Sequence, residues 1–315
     1  VRGRVRSLVP ATPCVRIPDL EEPGGGPIFL KLENLNRTGS FKVRGAIARI
    51  TALSSEERAA GVVACSSGNH GRAVAWVAGQ LGVSATIFVP DWVDPVKLAG
   101  MRADGAEVRL AGGTYDDAAA AAHAEVARTG RSFVHPFDDA EIAAGQGTIA
   151  LEILEAVPAV RRVVVCLSGG GLVGGIATAL RAHGSDAEVV AVSAHRARVM
   201  FESIRAGRPL DLEEEPTIAS ALSGGIELDN QVSFDLVQRY VDQHVVVSEE
   251  AIERAMVLAM GQLHIVVEGG GAVGIAALRE GLLPRLPAPG TTVIVVSGGN
   301  VAAPRLLELS DTPAY

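Results

Sequence analysis

Lys42 lies in the run Ser40-Phe41-Lys42-Val43-Arg44-Gly45-Ala46, at a place where a lysine is unexpected. An extended segment at 28–33 and a turn at 34–39 lead into an apolar-periodic stretch that predicts a helix over 42–53. Lys42 then falls in the first helical turn, where free N–H groups and the helix dipole disfavour an added positive charge. Position alone reads it as a surface lysine on an amphipathic helix. The other reading is an amine with an anionic partner, or one held neutral or covalently engaged.

Three further stretches have the composition to serve such an amine. Each follows a short apolar run: Ser66-Ser67-Gly68-Asn69-His70-Gly71, Ser168-Gly169-Gly170-Gly171-Leu172-Val173-Gly174-Gly175 and Ser297-Gly298-Gly299-Asn300. The second opens a helical pattern at 173–182, so its amides and a helix N-terminus form an anion cradle suited to phosphate. It lacks the Lys-Ser/Thr of a P-loop and the spacing of a dinucleotide fingerprint, which favours a phosphate monoester over ATP or NAD. A tight turn is the plain alternative. Residues 66–71 offer amides and hydroxyls at a second helix start, suited to a carboxylate or to simple N-capping. Ser297 ends a strand, either as a turn residue or as a hydroxyl aimed into a cleft. A lysine, a phosphate cradle and a carboxylate cradle together suggest pyridoxal phosphate joined to Lys42 as a Schiff base, with an amino acid as substrate.

The elements that must position these residues alternate in type. Residues 61–65, 85–89, 106–110 and 132–134 read as strands, with helices at 71–81, 95–103 and 114–129 between them. Strands at 162–167, 188–193, 243–247 and 292–296 follow, again separated by helical stretches. Near-continuous apolar strands between helices predict parallel sheets covered on both faces, an α/β fold. Residues 61–135 are expected to form a small domain, with 1–60 and 136–315 as a discontinuous large domain. The cleft between them, at the carboxyl ends of the strands, is the expected ligand site.

Composition narrows the function classes. The 315 residues are 48 % apolar and 20 % charged, which fits a globular chain and not a disordered one. A net charge of −8 without a dense Lys/Arg run speaks against nucleic acid as a partner. The apolar runs are strand-length, so no membrane span is expected, and no signal peptide follows the basic start Val1-Arg2-Gly3-Arg4. Cys14, Cys65 and Cys166 lack C-x-x-C spacing, which points to free thiols in a reducing cytoplasm and to no zinc site. His123, His183, His195, His244 and His264 stand singly and read as surface or structural residues. Arg37, Arg44 and Arg72 adjoin the motifs and read as solvated surface charge.

With these motifs laid out, the chain resembles the fold-type II pyridoxal-phosphate enzymes, within them the serine/threonine dehydratases. The matching stretches are K-L-E-N at 31–34, T-G-S-F-K-V-R-G-A at 38–46, S-S-G-N-H-G at 66–71 and P-F-D-D at 136–139. A-G-Q-G-T at 144–148, S-G-G-G-L at 168–172, V-E-G-G-G-A at 267–272 and S-G-G-N at 297–300 complete the order. L-S-G-G-I-E-L-D-N at 222–230 and V-S-A-H at 192–195 are most similar to the threonine-dehydratase-like enzyme of hydroxyectoine utilisation.

The resemblance implies two parallel-sheet domains like tryptophan synthase β, and elimination of water from a β-hydroxy amino acid. It implies that Lys42 anchors the cofactor and acts as base at Cα. Phe41 packs on the cofactor ring, Asn69 bonds its 3-oxygen, Ser168, Gly169, Gly170, Gly171 and Leu172 hold the phosphate, and Ser297 faces the pyridine nitrogen. Ser66, Ser67, Asn69 and His70 surround the substrate carboxylate, and Glu268 lies near the ring without an assigned role.

Two departures set limits. Where many relatives bind a divalent cation, this chain has Ser193, Ala197 and Val199, so no metal is expected there. Ala221 replaces a glycine beside the cofactor, which puts ordinary threonine or serine specificity in question. The pattern ends near Asn300, so no regulatory amino-acid-binding domain is expected. Racemisation at Cα, with Ser67 as the second proton donor, is the alternative within this chemistry. A non-catalytic metabolite-binding protein is the alternative outside it. A small amino acid and a second copy of the chain, in a homodimer, are the expected partners.

Overall fold

The computed structural model describes residues 1–22, 26–66, 68–286 and 290–309. In chain order its strands are β1 (Cys14–Arg16), β2 (Ile28–Leu32), β3 (Val62–Cys65), β4 (Ala85–Val89), β5 (Glu107–Leu110), β6 (Ser132–Phe133), β7 (Val160–Cys166), β8 (Glu188–Ala194), β9 (Gln243–Val247) and β10 (Thr291–Val296). One sheet runs β1-β2-β10-β7-β8-β9 and the other β5-β4-β3-β6. Every neighbouring pair is parallel except β1 with β2, an antiparallel edge. That edge strand and the helix Arg2–Arg6 have no sequence signature, because three and five residues are too short to display a period. β7 starts two residues before the apolar run read from sequence. Arg162 sits inside the strand, with its charge met by Glu188 Oε2 at 2.7 Å.

Both sheets reverse their winding once. From β7 the chain moves out through β8 and β9 and returns on the other side of β7 as β10. From β3 it moves out through β4 and β5 and returns as β6. Such a reversal leaves a crevice at the carboxyl ends of the strands, because the loops there part in opposite directions. The glycine loop after β7, Ser297 after β10 and Ser66 after β3 all stand at these two crevices.

One apolar cluster surrounds the six-stranded sheet; a second lies on one face of the four-stranded sheet, and a smaller third, Val63, Cys65, Phe88, Ala118 and Ala122, on its other face. The helix Lys42–Ala52 gives Val43, Ala46, Ile47 and Ile50 to the second cluster. Burying each isoleucine contributes about 1.5–3 kcal/mol. The helix's other side crosses Ala140–Ala156 almost backbone to backbone: a Cβ on Gly145 would lie 2.6 Å from the Arg44 carbonyl oxygen.

Arg44 corrects the reading of it as solvated charge, for it is fully buried. Its Nε bonds Glu33 Oε2 at 2.7 Å, and its two terminal nitrogens reach Glu152 at 2.8 and 2.7 Å. Lys31 Nζ, also buried, bonds Glu152 Oε2 at 2.6 Å. Two cations therefore face two carboxylates, and the network ties the Lys42 helix to β2 and to the helix Ala140–Ala156. Among the described residues no helix is long and apolar enough to cross a membrane.

Candidate active site

A cavity of about 680 Å³ opens where the two crevices meet, and Lys42, Asn69, Gly170 and Ser297 all line it. Residues as much as 255 positions apart in the chain, Lys42 and Ser297, thus share one space because the loops that carry them follow strands of parallel sheets. The predicted lysine and all three predicted loops arrive together.

Lys42 is the first residue of its helix, as its spacing predicted. Its Nζ donates to Pro136 O at 2.7 Å and lies 5.2 Å from the centre of the Phe41 ring. A carbonyl oxygen fixes the amine without neutralising it. Burial pushes the Lys42 ammonium down to about 8, against the opposing influence of Cys166 and Glu268. Phe41 is itself held by its N–H, which donates to Ser297 O at 3.0 Å.

The glycine loop is shaped for an anion. Gly170 is the N-cap of the helix Gly171–Ala182, with φ at 85°, and no side chain caps the first-turn amides. Those N–H groups are therefore available to a ligand. Phe137 underlies the loop so closely that a Cβ on Gly169 would enter its ring, and one on Gly171 would lie 2.6 Å from Phe137 O. Ser168 begins the loop and Leu172 closes it, both facing the cavity.

Ser297 is buried at the end of β10, its Oγ donating to Gly270 O at 3.3 Å. Cys166 stands at the cavity wall nearby, and burial pushes its thiol up to about 11, so it stays protonated. Cys14, Cys65 and Cys166 are all free, in line with their spacing.

On the other wall Ser66 ends β3, its Oγ accepting from Gly68 N at 3.2 Å. Ser67 lies outside the described residues. Asn69 starts the helix Asn69–Leu81, whose N-cap, Gly68, offers no side chain, so first-turn amides are again unclaimed. The His70 ring has one nitrogen committed: its Nε2–H donates to Val134 O at 2.8 Å. Burial, and then the charge of Lys42, push that imidazole down to about 3, so it stays neutral. With its one ring proton committed to Val134 O, His70 has its backbone N–H as the donor to offer a carboxylate.

Two features escaped the sequence reading. The turn at 135–139 serves several partners at once. His135 Nδ1 accepts from the N–H groups of Phe137 and Asp138, which leaves its Nε2–H to donate to Glu227 Oε1 at 3.1 Å. Asp138 accepts from the N–H groups of Gln231, Val232 and Ser233 at 2.7, 2.8 and 2.7 Å. The P-F-D-D string marked the turn, but only the fold shows what it grips. Glu227 is the second feature: a non-glycine residue at φ 61° whose carboxylate faces the cavity. The hydrogen bond from His135 holds that carboxyl below the usual range, so it is ionised.

At the site of the expected metal departure, Ser193 Oγ donates to Leu167 O at 3.2 Å and Val199 is buried in the core. Ala221 lines the main cavity beside Leu222.

A cofactor with a phosphate and an aldehyde fits the residues present. Uncapped amides and a glycine cradle with no room for side chains meet the phosphate, and a depressed amine meets the carbonyl carbon. The protein family described as "Pyridoxal-phosphate dependent enzyme" matches residues 5–298. An L-threonine ammonia-lyase of Thermotoga maritima is 44 % identical over 283 residues, covering 90 % of this chain and 69 % of that protein. A putative threonine dehydratase of Sinorhizobium fredii is 41 % identical over 301 residues, covering 95 % and 90 %. Among solved structures, a maize serine racemase superposes with a TM-score of 0.92 at 31 % identity, over 98 % of this chain and 93 % of that one.

Proposed function

Because the chain belongs to the family of pyridoxal-phosphate dependent enzymes, we propose that it is a dehydratase, an ammonia-lyase that eliminates water from a β-hydroxy amino acid and leaves a 2-oxo acid and ammonia. The observation that carries this reading is the single cavity shared by Lys42, the glycine cradle and Ser297. Pyridoxal phosphate, when bound, supplies an electron sink for the pair left behind as the Cα proton departs. Lys42, Phe41, Asn69, Ser297 and the loop 168–172 would hold it, with the phosphate on the loop amides.

The chain's own groups do the rest. The Lys42 amine takes the Cα proton, and with its pKa lowered to about 8 a useful share is free base near neutral pH. Pro136 O keeps that amine in place. With its O–H turned from Gly270 O, Ser297 would offer the ring nitrogen a neutral hydroxyl and not a carboxylate, which would not hold that nitrogen protonated and so would favour prompt loss of the β-hydroxyl. Ser66, Ser67 and the amides of Asn69 and His70 bind the substrate carboxylate.

The reading also assigns 61–135 to a small domain and 1–60 with 136–315 to a large one. The helix Lys42–Ala52 is then where they meet, since its apolar face belongs to the second cluster. A homodimer in the cytoplasm is the proposed state, and size-exclusion chromatography tests the assembly.

Reconstitution with pyridoxal phosphate is the first test. The protein should turn yellow, and borohydride should fix the cofactor to Lys42, read by peptide mass; a protein that takes up none overturns the proposal. A 2-oxo-acid assay across threonine, serine, 3-hydroxyaspartate and hydroxyectoine-breakdown compounds then identifies the substrate. Chiral analysis of the same mixtures separates dehydration from racemisation: D-isomer without 2-oxo acid would favour the racemase.

A further inference from the structure

Glu268 is a carboxylate in the cavity that the proposed reaction leaves unused. It is the N-cap of the helix Gly269–Arg279, yet its side chain caps none of that helix's amides. Instead Oε1 accepts from Asn69 Nδ2 at 2.7 Å. Asn69 Oδ1 accepts from Asn300 Nδ2 at 2.7 Å, and Asn300 Nδ2 also donates to Thr38 O at 2.8 Å.

The direction of every bond in this series is determined. A backbone carbonyl only accepts, so Thr38 O fixes which end of Asn300 carries the NH2. Asn300 then fixes the oxygen of Asn69. Ionised Glu268 also only accepts, and it fixes the nitrogen of Asn69 from the opposite side. Both ends of the Asn69 amide are assigned, and one of its N–H groups is left over. There is no slack: a Cβ on Gly298 would strike Glu268 Oε1, and a Cβ on Gly39 would strike Asn300 Oδ1.

We propose that Glu268 is a positioning residue, whose carboxylate holds the Asn69 amide so that its remaining N–H is offered to the phenolic oxygen of the cofactor. This rests on the cofactor reading above. Protonation turns Glu268 from a pure acceptor into a group that also donates, and its hold on Asn69 loosens. Burial raises the Glu268 carboxyl to about 7, against the Asn69 hydrogen bond and the charges of Lys97 and Lys42. Lys42 and Lys97 face it from the helices Lys42–Ala52 and Pro95–Ala103, and Cys166 from the end of β7.

The test follows the visible absorption band and kcat/KM of the loaded enzyme from about pH 5.5 to about pH 8.5. Wild type should show a transition of the band with a midpoint near 7, and below it kcat/KM should fall more steeply than the Lys42 limb near 8 alone produces. Glu268→Gln is the same size and neutral throughout, so it should show the acid-form band at every pH, lose the component near 7 while keeping the Lys42 limb, and fall in kcat more than it rises in KM. Glu268→Asp keeps the charge but shortens the reach, so its midpoint should shift. A Gln variant with the wild-type band and the component near 7, or an Asp variant with an unmoved midpoint, overturns the role of Glu268 and leaves the cofactor reading standing. Wild-type protein that binds no pyridoxal phosphate overturns both.

Discussion

The amine of Lys42 is enclosed, bonded to Pro136 O, and depressed to about 8. Lys42→Ala removes both the anchor and the base, and turnover should fall by about a thousand-fold or more, read in a coupled 2-oxo-acid assay. Glu227 bears on substrate choice. Its ionised carboxylate shares the cavity with Asp116 and Glu214, so a substrate with a second carboxylate meets like charge. We expect 3-hydroxyaspartate to show a kcat/KM about ten-fold or more below threonine, with Glu227→Gln narrowing the gap. Clustered glycines after apolar runs made the loops legible, and those loops with the family pattern singled out Lys42, which position alone reads as surface charge. Arg44 was not legible in the same way. Its partners Glu33 and Glu152 lie 11 and 108 positions away, and burial of a charge depends on such partners and not on local pattern.

The glycine loop and the turn beneath it act as a pair of elements. The helix Gly171–Ala182 is capped by a glycine at positive φ, Gly170, and Phe137 fills the space that side chains on Gly169 or Gly171 would need. Gly169→Ala forces the loop off Phe137 at a cost of about 1–3 kcal/mol. Cofactor affinity should drop about ten-fold to a hundred-fold, measured by fluorescence titration, while pyridoxal without its phosphate should bind both proteins equally weakly. The loop was readable because it follows an apolar strand and opens a helical period. The turn at 135–139 was readable only as a motif, because a carboxylate such as Asp138 takes its meaning from amides 93 to 95 positions away.

Across the molecule, the alternation of strands and helices made the two parallel sheets predictable, but not the strand order that returns β10 and β6 to the inner side. That order is a long-range packing choice, and it is what brings Ser297 and Pro136 to the same cavity as Lys42. The buried network of Lys31, Glu33, Arg44 and Glu152 holds the Lys42 helix in this arrangement. Arg44→Met leaves two buried carboxylates facing one lysine and should lower stability by about 3–5 kcal/mol, read by urea unfolding. The turn at 135–139 gives the fold a further property. Pro136 positions the amine, Phe137 supports the phosphate cradle, Asp138 grips the stretch 231–233, and Asp139 caps the next helix while pairing with Arg49. Four neighbouring positions thus answer to different partners, so their substitutions are not expected to be additive. A lineage that alters loop 219–233 to admit a new substrate must do so through residues that Asp138 does not bind, or else retune its base at the same time.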